Sequence, residues 1–276
     1  MKKVIFYPTY RSNDFCEYSR FWKSAYYTEI LEGETGVLIK ALADVYGEGA
    51  RHIEIRGGEP LLREDLPQIL SGVRSQFHIS LRTNGLLLEE RAQSYMGLVH
   101  HFSLLLYHPE REVHDRILGV EGFGALRKAA HALKKVGMPG DILYIVTRET
   151  ITHLPEALDF AAELGLPLHM EPFYLSVEVT AFEKGSLESI AYMGRKGGIV
   201  YTEGIQKILK ADTRYINRSF CTAGESPITV GPDGKRIHPC VHAEGKDGKP
   251  GTLPPCAFCT DWSYLLPGSD KIVATK

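Results

Sequence analysis

The segment Ser12-Asn13-Asp14-Phe15-Cys16-Glu17-Tyr18-Ser19 places polar side chains at positions 12, 16 and 19. That is the spacing of a loop that holds an iron-sulfur cluster on three cysteines, with serine in the first and last places. Such clusters are held by thiolates. A thiol loses its proton near pH ~8.5, and a serine hydroxyl is far harder to deprotonate. Cys16 is therefore a candidate metal ligand with no thiol beside it in its own loop. The other cysteines, Cys221, Cys240, Cys256 and Cys259, come late. The run Ile228 to Cys240 reads as a hairpin turning at Pro232-Asp233-Gly234, which folds Cys240 back towards Cys221. Cys256-Ala257-Phe258-Cys259 adds the two-residue spacing by which neighbouring thiolates chelate one centre. Four cysteines in this order make a complete primary shell for one metal centre.

A third group is Arg56-Gly57-Gly58-Glu59-Pro60-Leu61-Leu62. Two glycines let the backbone approach a ligand, and the Glu59 carboxylate can accept hydrogen bonds from an ammonium group. The plainer reading is a glycine turn opening a helix, with Glu59-Pro60 in its first turn.

The elements that must position these groups follow from the apolar pattern. Strands are expected at Val4–Tyr7, His52–Ile55, Phe77–Leu81, Phe102–Leu106, Ile142–Val146 and Leu168–Pro172. Between them, Gly36–Tyr46, Asp65–Leu70, Glu89–Met96, Phe123–Val136 and Leu154–Leu164 carry helical spacing. A series of six βα units implies a parallel sheet, because parallel neighbours need helical crossovers. The expected fold is α/β, a partial (β/α)6 TIM-like barrel with a small Cys-rich C-terminal extension. The loop of residues 56–62 then lies at the carboxyl end of a strand, where such folds bind ligands. Three divisions are expected: a barrel over 1–175, a linking region over 176–218 with a helix around Thr202–Ala211, and a cysteine-rich domain over 219–276.

The 276 residues include 32 basic and 34 acidic side chains, and the isoelectric point is about 6.6. This near-balance gives no electrostatic footprint for nucleic acid or for a membrane surface. The apolar run before Pro8 is too short for a signal-peptide core, so a cytoplasmic protein is expected. Five cysteines, an odd number crowded towards one end, suit a metal site beside one thiol better than a secreted disulfide framework.

Taken in order, the octet after strand one, Gly57-Gly58-Glu59-Pro60 after strand two and Thr83-Asn84-Gly85 after strand three resemble the radical S-adenosylmethionine (AdoMet) superfamily. So do Ser103 in strand four, His114 to Gly119, Val146-Thr147 and Met170-Glu171-Pro172-Phe173. The resemblance implies that Gly57, Gly58, Glu59, Pro60, Asn84 and Ser103 lie at an AdoMet pocket, and that Cys16 matches the middle ligand of a core cluster. Ser12 and Ser19 depart from the pattern. Strand four reads Ser103-Leu104-Leu105-Leu106 where relatives often carry Asp-Gly after the serine, which would remove a polar contact. The late cysteines resemble the SPASM or twitch extension and imply one auxiliary four-iron cluster on Cys221, Cys240, Cys256 and Cys259. Zinc is the alternative.

Two functional readings stay open. The chain is either a member disarmed at its core cluster, serving as partner or electron-transfer subunit to an active radical AdoMet protein in peptide modification or metalloenzyme or cofactor maturation. Or it is an active oxidoreductase whose core cysteines were replaced at 12 and 19. Relatives act on peptides and proteins, and strand one begins too early for a recognition domain before it, so recognition falls to a partner or to the barrel mouth. Phe21, Trp22, Tyr26 and Tyr27 are expected to pack over that mouth. His100, His101, His108 and His114 around strand four read as structural histidines, Arg11 as a surface residue and Glu110-Arg111-Glu112 as a solvated face.

Overall fold

The computed structural model describes residues 2–19, 29–147, 149–172, 199–202, 228–237 and 272–274. Strand β1 (Lys2–Phe6) is followed by α1 (Thr35–Gly47), β2 (Ala50–Ile55), α2 (Leu66–Val73), β3 (His78–Thr83), α3 (Leu88–Arg91) and β4 (His101–Leu106). Then come α4 (Arg111–Leu118), α5 (Phe123–Lys135), β5 (Gly140–Val146), α6 (Leu154–Glu163) and β6 (Leu168–Pro172). Four strands complete the sheet: β7 (Ile199–Thr202), β8 (Ile228–Val230), β9 (Arg236–Ile237) and β10 (Ile272–Ala274). The sheet runs β10-β7-β6-β5-β4-β3-β2-β1-β8-β9. Its strands are parallel from β7 through β8, and β9 and β10 pair antiparallel at the two edges. This is the parallel α/β sheet of a partial TIM-like barrel, as the repeated βα pattern implies.

Alternation along each strand sorts the two faces. Val4, Phe6, Ile53, Ile55, Ile79, Leu81, Phe102, Leu104, Leu106, Ile142, Tyr144, Val146, Leu168 and Met170 form one core beneath the helices. Each such side chain is worth about 1.5–3 kcal/mol on burial. The intervening residues face inwards, and many are polar: Lys3, His52, Glu54, His78, Ser80, Arg82, His101, Ser103, Asp141, His169 and Glu171. Leu104 and Leu106 are therefore helix-facing, and of the three leucines after Ser103 only Leu105 lies on the inner face.

Three local expectations change. The segment expected to be helical over Glu89–Met96 is the short α3 followed by a tighter 3-10 turn over Ala92–Tyr95. Residues 111–118, for which no element was expected, form α4, and Glu110-Arg111-Glu112 at its start is exposed, as a solvated face should be. That helix buries His114, Ile117 and Leu118 and ends on Gly119 at φ 78°, a left-handed cap that suits glycine. Thr202 ends β7 rather than starting a helix, and residues 203–211 lie outside the described residues. The hairpin at Pro232-Asp233-Gly234 forms as expected, and its first strand, β8, pairs with β1. The sheet thus continues unbroken into the C-terminal part of the chain. Among the described residues no helix is long and apolar enough to cross a membrane.

Candidate active site

The octet is fastened to two neighbours through its backbone and its acidic side chain. Phe15 N–H donates to Leu118 O at 3.0 Å and Glu17 N–H to Ile117 O at 2.8 Å, so the end of α4 serves as its platform. Gly119 is required here, because a Cβ on it would lie 2.8 Å from Phe15 Cβ. Asp14 Oδ1 accepts from Cys16 N–H at 3.2 Å. Its other oxygen accepts from the Asn84 side-chain amide at 2.6 Å, and the same amide reaches Asn13 Oδ1 at 2.9 Å.

Gly57 and Gly58 do approach something closely, but it is protein. A Cβ on Gly57 would lie 2.5 Å from Thr9 O, and one on Gly58 would lie 2.0 Å from Arg11 O. Gly58 N–H donates to Thr9 O at 3.3 Å and Glu59 N–H to Arg11 O at 2.8 Å. These two amides, of Gly58 and Glu59, are committed to the segment that leads into the octet.

Glu59 follows the plainer reading, a turn opening a helix. It is fully buried, and its carboxyl accepts from Leu61 N–H at 2.9 Å, Asn84 N–H at 2.9 Å and the Thr83 hydroxyl at 3.0 Å to each oxygen. Burial pushes its pKa up to about 7, against the pull of the Leu61 and Asn84 amides and the Thr83 hydroxyl. It caps the 3-10 turn Pro60–Leu62, with Pro60 as the first residue of that turn. Glu59 thus clamps the loops after β2 and β3 together rather than offering a carboxylate to an ammonium group.

Cys16 lies in a second apolar cluster with Tyr107, Ile117, Leu118, Leu143 and Ile145. Burial raises the pKa of its thiol, although a hydrogen bond with the Tyr107 side chain opposes the rise. Ser12 Oγ is buried without a hydrogen-bond partner. One buried thiol and two serines do not fit a four-iron cluster as a donor set. Among the described residues no group of three or more histidines, cysteines or acidic side chains is arranged to hold a metal ion.

Ser103 is buried on the inner face of β4, between Arg82 and Asp141 in register. Asn84 is buried and joins the octet to the Glu59 clamp. Gly57, Gly58, Glu59, Pro60 and Asn84 are thus brought together with Cys16, while Ser103 lies lower on the inner face. Cys221, Cys240, Cys256 and Cys259 lie outside the described residues, as do Phe21, Trp22, Tyr26 and Tyr27. Arg11, read as a surface residue, is paired with Glu32 at 2.8 Å. The sequence reading passed over Asp14 and Tyr107, and it also passed over Arg56 and Arg82. A charge at every second strand position, as in Glu54 and Arg82, is the signal for a polar inner face.

The profile of the radical SAM superfamily matches residues 7–161, which is more than half of the chain. The PqqA peptide cyclase of Granulibacter bethesdensis is 27% identical over 139 residues, covering 49% of this chain and 37% of that protein. A probable GTP 3',8-cyclase of Methanococcus maripaludis is 27% identical over 195 residues, covering 66% of this chain and 61% of its own. The chain therefore spans less than two thirds of these relatives. The crystal structure of Streptococcus suis SuiB bound to S-adenosylmethionine matches 89% of this chain and 61% of its own with a TM-score of 0.69 at 15% identity, a likeness of fold.

Proposed function

The chain belongs to the radical SAM superfamily, and from that premise we propose that it is a member disarmed at its core cluster, acting as a partner or electron-transfer subunit in peptide modification or in metalloenzyme or cofactor maturation. The family implies a four-iron cluster and AdoMet. That cluster supplies the electron that cleaves the sulfonium, and no other protein group replaces cofactor chemistry of this kind. The observation that carries the proposal is the donor set of the octet: Cys16 buried in an apolar pocket and serine at both flanking positions. The remaining residues keep their structural duties, with Asn84 and Glu59 tying the loops together.

In the same reading Cys221, Cys240, Cys256 and Cys259 hold one auxiliary four-iron cluster of SPASM or twitch type, with structural zinc as the alternative. A peptide partner is favoured by two similarities, to a PqqA peptide cyclase and to SuiB, which has been crystallised with its precursor peptide SuiA. The second reading, an active oxidoreductase whose cysteines were replaced at 12 and 19, is favoured by the buried, unpartnered Ser12 Oγ at the first ligand position.

Anaerobic reconstitution with iron and sulfide, followed by iron counting and spin resonance with and without AdoMet, tests the first reading, and cysteine codons at 12 and 19 in the source gene would establish the second. About four irons per chain and a signal indifferent to AdoMet support the disarmed member. Release of 5'-deoxyadenosine on reduction, or a second cluster whose signal moves when AdoMet is added, establishes the active enzyme instead. Tightly held zinc in the protein as isolated removes the auxiliary iron cluster.

A further inference from the structure

A cavity of about 550 Å³ lies among α5, α6 and the loop that follows β4, and no strand residue lines it. Its size is that of an ordinary ligand pocket. Glu110 comes to it from the loop, Arg127 from α5, and Glu156, Asp159 and Glu163 from α6. Arg127 is engaged: its two Nη atoms donate to the two oxygens of Glu163 at 2.5 and 2.9 Å, and its guanidinium lies 4.9 Å from the Phe160 ring centre. Glu110, Glu156 and Asp159 are exposed and have no cation paired with them among the described residues. Four carboxylates against one guanidinium leave three negative charges in the lining uncompensated.

A second observation in the same lining is of a different kind. His108 is only 5% exposed and borders the cavity. Its ring packs edge-on against His153 with centroids 4.4 Å apart. Burial lowers its pKa and His153 adds to the effect, so the imidazole is neutral at neutral pH. Its Nδ1 accepts from Glu110 N–H at 3.0 Å, which leaves the proton on Nε2, across the ring. With Nδ1 turned to its own loop, Nε2 is the nitrogen left to the cavity, and it meets no acceptor among the described residues. A largely buried donor without an acceptor calls for a ligand that carries one. A metal ion or a polyamine answers the carboxylates but offers nothing to Nε2–H, and no group of three ligating side chains among the described residues is arranged for a metal. A polypeptide segment answers both, through a side-chain cation and a backbone carbonyl.

We propose that this cavity docks a basic segment of a partner polypeptide, with a lysine or arginine side chain paired to Glu110, Glu156 and Asp159 and a backbone carbonyl accepting from His108 Nε2–H. Arg127 already shows the pose of a guanidinium here, forked on a carboxylate beside an aromatic ring. The uncompensated charge selects the partner by sign, and the histidine donor fixes its backbone. This goes beyond the reading above. It names a docking surface on the helical side of the barrel and holds with or without iron, since no lining residue belongs to the octet or to the late cysteines.

The test is calorimetric titration of the full-length chain at an ionic strength of about 0.15 M, where exposed charges more than about 8 Å apart are largely screened. The probes are the peptide acetyl-Gly-Arg-Gly-Arg-Gly-amide, its counterpart with glutamate in place of arginine, and spermine, which has the charge but no carbonyl. Saturable binding of the arginine peptide, none of the glutamate peptide and weaker binding of spermine support the proposal. Glu156→Gln combined with Asp159→Asn, both at exposed positions, weakens the arginine peptide about tenfold or more. Glu64→Gln, exposed and away from the cavity, leaves it unchanged. His108→Asn keeps an acceptor for Glu110 N–H and removes Nε2, so it weakens the peptide and not spermine. If His108→Asn fails to fold, the paired carboxylate variant and the spermine comparison decide. Four results overturn the proposal: no saturable binding of the arginine peptide, the paired variant binding it as tightly as the parent, a folded His108→Asn binding it as tightly as the parent, or spermine binding as tightly as the peptide.

Discussion

The Asn84 side-chain amide donates to Asp14 Oδ2 at 2.6 Å and so ties the loop after β3 to the octet after β1, across 70 residues of sequence. Asn84 serves four neighbours, since the same amide reaches Asn13 Oδ1, its backbone N–H donates to Glu59 and its Oδ1 accepts from Leu86 N–H at 3.1 Å. Removing one partner of a buried hydrogen bond to a charged group costs about 1.5–3 kcal/mol. Asn84→Ala is expected to lower stability by that amount in urea unfolding. Asn84→Asp keeps the shape but sets a carboxylate against Asp14, so its loss should be the larger of the two. Equal losses would show that the Asp14 contact is not what Asn84 contributes.

Gly58 is held by contact rather than by its own conformation. An added methyl group would lie 2.0 Å from Arg11 O, a backbone atom that cannot swing aside as a side chain can. Gly58→Ala must therefore push β2 away from the segment before the octet, at a cost of about 1–3 kcal/mol for a buried overpacking. Gly36 in α1 has open space around its Cβ position, and Gly36→Ala should be neutral or slightly stabilising. Urea midpoints of the two variants, measured side by side, check the contrast.

The strands were legible in the sequence because inner and outer faces alternate so regularly, as in Ile53-Glu54-Ile55 and Leu81-Arg82-Thr83. Helix α4 was not, because Glu110-Arg111-Glu112 drew the eye to charge. Val113, Ile117 and Leu118 at helical spacing before Gly119 were the better signal. The role of Glu59 was out of reach for a different reason. Its partners Thr83 and Asn84 lie 24 and 25 residues away, and no local pattern records that they fold over it. The octet was legible as a departure from a cluster loop. Its docking on α4 was invisible, since it runs through backbone groups that carry no sequence signature.

The raised pKa of Glu59 makes a prediction with a definite sign. Its carboxyl titrates near 4.5 in an open chain and about 7 in the fold. Below pH about 4.5 both states hold the proton. As pH rises from there to about 7, the unfolded chain ionises first, and the folded state loses up to about 3 kcal/mol of relative stability. His114 acts in the opposite sense: burial lowers its pKa to about 4, so it favours the folded state as pH rises through the same window. The clean quantity is therefore the difference between the parent and Glu59→Gln. Chemical unfolding at pH 5 and pH 8 should show the parent losing ground to the variant by about 2–3 kcal/mol. A difference that stays constant across the window would mean that Glu59 is ionised in the fold throughout.

The octet itself yields the last prediction. Its anchors are the Phe15 and Glu17 amides on α4, the Asp14 carboxylate with Asn84, and the Ser19 N–H on Cys16 O at 3.0 Å. None of these bonds uses the side chain of residue 12 or 19, so thiols can be introduced there without cutting them. Ser12→Cys with Ser19→Cys should give a chain that gains about four irons over the parent on anaerobic reconstitution. Three nearby thiols sharing a cluster also remove the reason for Cys16 to stay protonated, because ligation stabilises the thiolate. The gain should disappear when Cys16→Ala is added to the pair. If the paired variant takes up no more iron than the parent, the loop has lost the shape of a cluster site as well as its donors, and the disarming runs deeper than two side chains.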